Sequence, residues 1–168
     1  MDPLADVRSH LEAAASQSDY VAVNTLWLAL LKLANLEDGK SELARMVVVV
    51  GRIPVETVAS IVSDRAVDAL LNLDPPLETV VSHPREQLET AEVIEALNKI
   101  RAQRTSAPRE ALAGLGFVLK AIRNKREHGF KTQAGRRDAE ILHPARQLLG
   151  KLSQAALESR VSDPRPAR

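Results

Sequence analysis

Cysteine is absent from this chain, and aromatic residues make up only 2% of it. Without cysteine there can be no disulfide or thiolate metal site, and this composition is typical of a reducing cytoplasm. Four aromatic rings are too few for the stacking platforms that bind single-stranded nucleic acid. Apolar runs such as 46–50 are far too short to span a bilayer, and Met1-Asp2-Pro3 does not begin a secretory signal. The sequence therefore predicts a cytoplasmic protein without membrane contact.

Helix formers are abundant instead. The hydrophobic fraction is 45% and consists mostly of Leu, Ala and Val. A length of 168 residues is typical of one domain with a real core. We predict an all-α fold, with a single helical domain over residues 1–160 and a disordered polar tail over 161–168. The valines at 47–50 favour a strand when taken alone, but no second strand is evident to pair with them, so a helix is predicted there too.

Apolar residues recur at helical spacing along most of the chain. The widest apolar stripe surrounds Trp27 and predicts a central core helix. Pro144 lies inside the last helical stretch, where it should kink the helix or begin a new one. The predicted helices cover about residues 3–16, 20–36, 41–50, 54–62, 65–73, 82–103, 108–128 and 137–159.

Helical wheels predict which side of three helices is buried. The helix over 108–128 also has a second face, with Phe117, Asn124 and His128, which suggests contact with another helix or another subunit. The residues predicted to face the core are Leu88, Ala91, Ile94, Leu97 and Ile100, then Leu115, Val118, Leu119 and Ile122, then Ile141, Ala145, Leu148, Leu152 and Ala155.

Charge is unevenly distributed although the formal net charge is only +1. Residues 1–100 carry 8 Lys/Arg and 16 Asp/Glu, whereas residues 101–168 carry 15 and 6. Residues 120–137 alone hold seven basic side chains and one acidic one. A basic segment in an otherwise acidic domain is the pattern expected of a protein that binds a polyanion such as RNA. The alternative is that the acidic and basic halves pack against each other, within one chain or across a dimer.

The basic segment contains Arg123, Asn124 and His128 within six residues. An arginine makes bidentate, permanently charged phosphate contacts, and a histidine near its ordinary pKa is a good proton shuttle. In a continuous helix the two side chains diverge by about 140°. They could converge if the helix ends at Gly129, or with the same pair from a symmetry-related subunit. A structural role fits as well, because Arg123 and Glu127 form an i,i+4 pair and the helix dipole favours His128 in a last turn.

The spacing of Arg123, Asn124 and His128 resembles the signature of the HEPN superfamily (higher eukaryotes and prokaryotes nucleotide-binding domain). In that signature an Arg, a polar residue and three further residues precede a His. The resemblance implies a four- to five-helix bundle that dimerises and brings two Arg/His motifs into one cleft. The similarity covers about residues 112–157 and includes Gly129, Lys131 and the turn Arg136-Arg137-Asp138.

The resemblance also implies an activity, because many HEPN proteins are metal-independent endoribonucleases. His128 would be the general acid/base when a ribose 2′-hydroxyl attacks the adjacent phosphate, Arg123 would bind that phosphate, and Asn124 would orient the groups. No cofactor is implied, and the histidines lack metal-ligand spacing. The expected partners are RNA, a second copy of the chain, and an antitoxin or regulatory protein if this is a toxin of a bacterial stress or defence system. The residues expected to bind RNA are Lys125, Arg126, Lys131, Arg136 and Arg137.

The chain departs from the family pattern near this motif. Arg126 and Glu127 are polar where members often have apolar residues, which favours an alternative function as a non-catalytic dimeric module that binds RNA or a partner protein. Phe130 stands where toxin members paired with a nucleotidyltransferase antitoxin often have a tyrosine, so adenylylation at this position is excluded. A further alternative is a protein-interaction bundle without affinity for RNA.

Overall fold

Helices form all of the regular structure in the part of the chain that the computed structural model describes, namely residues 2–74, 76–77, 87–128 and 136–163. The predicted all-α fold is confirmed, and the valines at 47–50 are helical. None of the described helices combines the length and apolarity that a membrane crossing requires. The helices are α1 (Ala5–Ser16), α2 (Asp19–Ala34), α3 (Glu42–Gly51), α4 (Val55–Val62), α5 (Arg65–Leu71), α6 (Gln87–Gln103), α7 (Pro108–His128) and α8 (Arg136–Ser162).

Capping side chains explain where two of the short helices begin. Ser41 precedes α3, and its Oγ accepts a hydrogen bond from the amide of Ala44 at 3.1 Å. Asp64 precedes α5, and its Oδ1 accepts from the amide of Ala66 at 2.8 Å. The first turn of a helix leaves its N–H groups without acceptors inside the helix. The side-chain oxygens of Ser41 and Asp64 each act as an acceptor for one of these groups.

The last helix, α8, is the element around which the others pack. It lies most extensively against α2 and also contacts α1, α3, α4, α5 and α7. Its predicted buried face is confirmed, since Ile141 and Leu148 are fully buried. Trp27 of α2 is only 6% exposed, which confirms that α2 is a core helix. α6 packs mainly against α7, so the α6–α7 pair joins the rest of the bundle through α7.

α8 continues through Pro144 as one helix. Of the two outcomes expected at this proline, a new helix beginning there is therefore excluded. Proline lacks the N–H that would bond to the preceding turn, but Ile141 and Ala145 on either side are fully buried and hold the segment in place. α8 ends at Ser162, two residues beyond the expected end of the domain, and residues 164–168 of the predicted tail lie outside the described residues.

On α6 the buried face differs from the predicted one. Ala91 is exposed and Ile94 is 40% exposed, while the side chain of Leu88 lies outside the described residues. The residues predicted to be buried on α6 are spaced three apart. Successive members of such a series are displaced by about 60° around the helix, so they do not stay on one face. Because α6 packs mainly on one helix, only a narrow stripe with alternating steps of three and four is covered. The buried residues are Val93, Ala96, Leu97 and Ile100.

A buried carboxylate joins the ends of three helices. Glu37, just beyond α2, is 5% exposed. Its Oε2 lies 2.9 Å from Nη2 of Arg52, at the end of α3, and its Oε1 lies 3.1 Å from Nη1 of Arg160, in the last turn of α8. Arg52 also donates to the backbone carbonyl of Asp163 at 3.2 Å. A buried carboxylate is tolerated only when it is paired, so this cluster holds the three helix ends in one arrangement.

We expect the substitution Glu37→Gln to lower the free energy of unfolding by about 3 kcal/mol, because Arg52 and Arg160 would lose their buried counter-ion. Urea unfolding measures the difference. The matched control is Glu12→Gln, since Glu12 is an exposed glutamate of α1; it should change stability by less than about 0.5 kcal/mol. Equal effects of the two substitutions would contradict the structural role of Glu37.

Candidate functional site

The helix that carries the Arg–His motif, α7, is continuous from Pro108 to His128, as predicted. One of its faces is in the core, where Leu119 and Ile122 are fully buried. Arg123 lies at the edge of that face, whereas Asn124 lies on the second face with Phe117, and both are half-buried. The spacing of apolar residues along α7 therefore places Arg123 at the boundary between the core and solvent.

The guanidinium of Arg123 is fixed by two amide side chains on two different helices. Its Nε donates to Oδ1 of Asn24, on α2, at 3.2 Å. Its Nη1 donates to Oδ1 of the adjacent Asn124, also at 3.2 Å. The predicted residues Arg123 and Asn124 are thus in direct contact. An amide oxygen orients a guanidinium without cancelling its positive charge.

Asn24 is a member of this cluster that the sequence interpretation did not identify. It lies 99 positions before Arg123, so no local spacing connects the two residues. The only signal in the sequence is that Asn24 and Thr25 interrupt the apolar run of α2. An asparagine in a helix interior is less favourable than alanine and is retained where its amide has a partner.

The structure places the remaining predicted residues to different extents. Lys125 is half-buried on α7, next to the cluster. Arg126 and His128 belong to the last turn of α7, and Arg136 and Arg137 begin α8, but their side chains lie outside the described residues. The remaining predicted RNA-binding residue, Lys131, lies outside them altogether.

Arg136, Arg137 and Asp138 form the first turn of α8, so the turn expected before the last helix is part of the helix itself. The carboxyl of Asp138 is half-buried, and burial raises its pKa above the usual value. Burial disfavours the charged form of a carboxyl. The acidic group nearest in sequence to the basic turn is therefore less readily ionised than a free aspartate.

A second polar cluster connects the beginning of α2 to α8. Asp19 accepts hydrogen bonds from Nη1 of Arg146 at 2.7 Å and from Nδ1 of His143 at 3.2 Å. Nη2 of Arg146 donates to the carbonyl of Ala14 at 2.9 Å, near the end of α1. Burial by itself would raise the pKa of Asp19, but the hydrogen bonds from Arg146 and His143 outweigh it and hold the pKa below its usual value. His143 therefore connects two helices.

The described side chains do not bring three His, Asp or Glu residues together in a group that could hold a metal ion. Comparison of the chain with protein-family models, with curated proteins and with solved structures finds no match. What the protein does must therefore be inferred from its own residues and their geometry.

The second cluster gives stability a defined pH dependence. A carboxyl whose pKa is lowered by folding contributes stability above its unfolded pKa, and that stability is lost as the pH falls through the lowered value. We expect Asp19→Asn to destabilise the protein at about pH 7 by roughly 1.5–3 kcal/mol, the range for a hydrogen bond to a charged group. The difference from wild type should shrink progressively as the pH is lowered toward about pH 3.

Urea unfolding at several pH values measures this difference. Asp38→Asn serves as the control, because Asp38 is exposed, and its small effect should not change with pH. A constant difference between wild type and Asp19→Asn across the whole range would contradict the assigned ion pair.

Proposed function

We propose that this protein is a HEPN-type, metal-independent endoribonuclease of a bacterial stress or phage-defence system, active as a homodimer in the cytoplasm. His128 takes the proton of a ribose 2′-hydroxyl as that oxygen attacks the adjacent phosphate, and a histidine returns a proton to the departing 5′-oxygen. Arg123 binds the phosphate and stabilises the charge that develops on it, while Asn124 orients the groups. The products carry a 2′,3′-cyclic phosphate and a 5′-hydroxyl.

The observation that carries this proposal is the arrangement of Arg123. Its guanidinium is half-buried and is oriented by hydrogen bonds from α2 and from α7. The acceptors of these two hydrogen bonds are the side-chain amides of Asn24 and Asn124. A guanidinium whose plane is held by hydrogen bonds is suited to an anionic substrate, because its orientation is fixed before the substrate arrives.

The geometry of α7 supports the proposed dimer. Arg123 and His128 belong to one continuous helix, and two positions five residues apart differ by about 140° around a helix axis. A two-fold-related copy that docks on the face of Phe117, Asn124 and His128 would bring a second Arg/His pair close to the first. Phe117, on that face, is only partly buried against the core.

Loss of either motif residue should abolish cleavage. We expect His128→Ala to reduce the rate by about 10²–10⁴-fold, the usual contribution of a general acid/base, and Arg123→Ala to remove the phosphate contact. Purified protein is incubated with total RNA and with transfer RNA in EDTA, and the ends of the products are analysed. Wild type should generate 2′,3′-cyclic phosphate ends under these conditions.

The matched controls are His10→Ala, because His10 lies on α1, and Arg65→Ala, because Arg65 is an exposed residue of α5. Both controls should cleave RNA like wild type. Circular dichroism is used to check that all four variants fold. Unchanged cleavage in His128→Ala or Arg123→Ala would rule out the proposed mechanism.

The same preparation tests the alternative of a non-catalytic module, which the polar residues of the stretch 125–127 favour. Such a module binds labelled single-stranded RNA but releases no product. Its binding should weaken as salt is added, because its phosphate contacts displace counter-ions. If Lys125 contacts a phosphate, Lys125→Ala should reduce the slope of log affinity against log salt by about one. Binding that does not depend on salt would argue against phosphate contacts altogether.

A further inference from the structure

We infer that Asn24 is a positioning residue for Arg123, and that its uncharged amide is required for Arg123 to accept a phosphate. The inference rests on the proposed function, in which Arg123 is the phosphate-binding group. It adds a residue from the first half of the chain to a site whose other members all lie in α7 and beyond.

The geometry determines how Asn24 acts. The hydrogen bond from Nε of Arg123 to Oδ1 of Asn24 measures 3.2 Å and joins α7 to α2. Nε lies at the inner edge of the guanidinium, so a hydrogen bond there fixes the plane of the group. With Nη1 also bound to Oδ1 of Asn124, the plane is held at two of its three nitrogens. An arginine recognises a phosphate through this plane, so its orientation determines whether a bidentate contact can form.

The scaffold around Asn24 is rigid, which is a requirement for positioning. Its neighbours on α2, Val23 and Leu26, are almost fully buried. α2 packs along α8, and its two ends are tied by the ion pairs of Asp19 and Glu37. Asn24 is therefore a fixed point for a side chain that reaches it from another helix.

The neutrality of Asn24 is the second part of the inference. A carboxylate at this position would accept the same hydrogen bond with almost the same shape. It would also place a negative charge against the guanidinium, where it would compete with a phosphate for Arg123. The substitution Asn24→Asp therefore separates a structural role from a role in anion binding. If Asn24 served only to join two helices, the aspartate would serve equally well or better.

The experiment follows the Nε–H signal of Arg123 by NMR while inorganic phosphate is added. The signal is assigned by its absence in Arg123→Lys. The variants are Asn24→Asp, Asn24→Ala and the control Asn98→Asp. Asn98 is an exposed asparagine of α6 that accepts a hydrogen bond from Nη1 of Arg101 at 3.3 Å. The control therefore adds the same charge to another asparagine–arginine pair.

We expect phosphate to shift the Arg123 signal equally in wild type and in Asn98→Asp. In Asn24→Asp the affinity for phosphate should fall at least about tenfold, as when a hydrogen bond to a charged group is lost. The midpoint of thermal unfolding of Asn24→Asp should equal or exceed that of wild type, since the new ion pair stabilises the contact between α2 and α7. Asn24→Ala removes the acceptor without adding charge, so it should weaken phosphate binding by less than the aspartate does.

Two results would overturn the inference. One is wild-type phosphate affinity in Asn24→Asp, or in Asn24→Ala if the aspartate variant does not fold. The other is an Arg123 signal that does not respond to phosphate in the wild-type protein.

Cleavage of RNA by the same proteins in EDTA distinguishes this inference from the proposed function. If the phosphate results are as expected but wild type does not cleave RNA, the anion site stands and the ribonuclease proposal fails. If wild type and Asn24→Asp cleave RNA equally well, the ribonuclease proposal stands and the role of Asn24 is refuted.

Discussion

Burial of the last helix, α8, is the contact on which the rest of the described structure depends. α8 packs against α1, α2, α3, α4, α5 and α7, and the most extensive of these contacts is with α2. Each fully buried aliphatic side chain contributes about 1.5–3 kcal/mol relative to an exposed one. α8 presents several of them, including Ile141, Leu148 and Leu149. This burial also explains how a helix with Pro144 in its interior remains continuous.

Ion pairs determine how α2 and α8 are aligned along each other. Burial is non-directional, so the apolar faces of α2 and α8 could slide along each other with little loss. Asp19 binds Arg146 near the start of α2, and Glu37 binds Arg160 just beyond its end. Glu37 is buried and Asp19 is half-buried, and a carboxylate out of water tolerates few alternative arrangements because leaving it unpaired is costly. The two pairs therefore fix where α2 lies along α8, and with it the position of Asn24.

The candidate site lies where α2 meets α7, away from the centre of the bundle. Side chains of Asn24, Arg123 and Asn124 form the polar part of this junction. Such a position suits a binding residue, because the guanidinium is held by the core on one side and stays half-exposed on the other. The proposed catalytic chemistry depends on the same feature, since an arginine that must be oriented after the substrate arrives stabilises a transition state less well.

Features that depend on spacing within one helix were predictable from the sequence. They include the all-α fold, the core helix around Trp27, and the buried faces of α7 and α8. The position of Arg123 at the edge of the apolar stripe belongs to the same class, because a helical wheel is enough to derive it. The predicted buried face of α6 was wrong, because the apolar residues of this helix allow more than one stripe. The contact with α7 determines which of these stripes is buried.

The sequence by itself thus determined that the chain is helical, where most helices lie, and that one helix carries an Arg, an Asn and a His near its end. Only the tertiary structure decided that Asn24 holds Arg123 and that Glu37 pairs with Arg52 and Arg160. Local patterns are set by backbone geometry and repeat every few residues, so they can be read along the chain. Partners on different helices or at their ends, whether 15 or 99 positions apart, are selected by how whole helices cross, and that depends on the simultaneous burial of every apolar face.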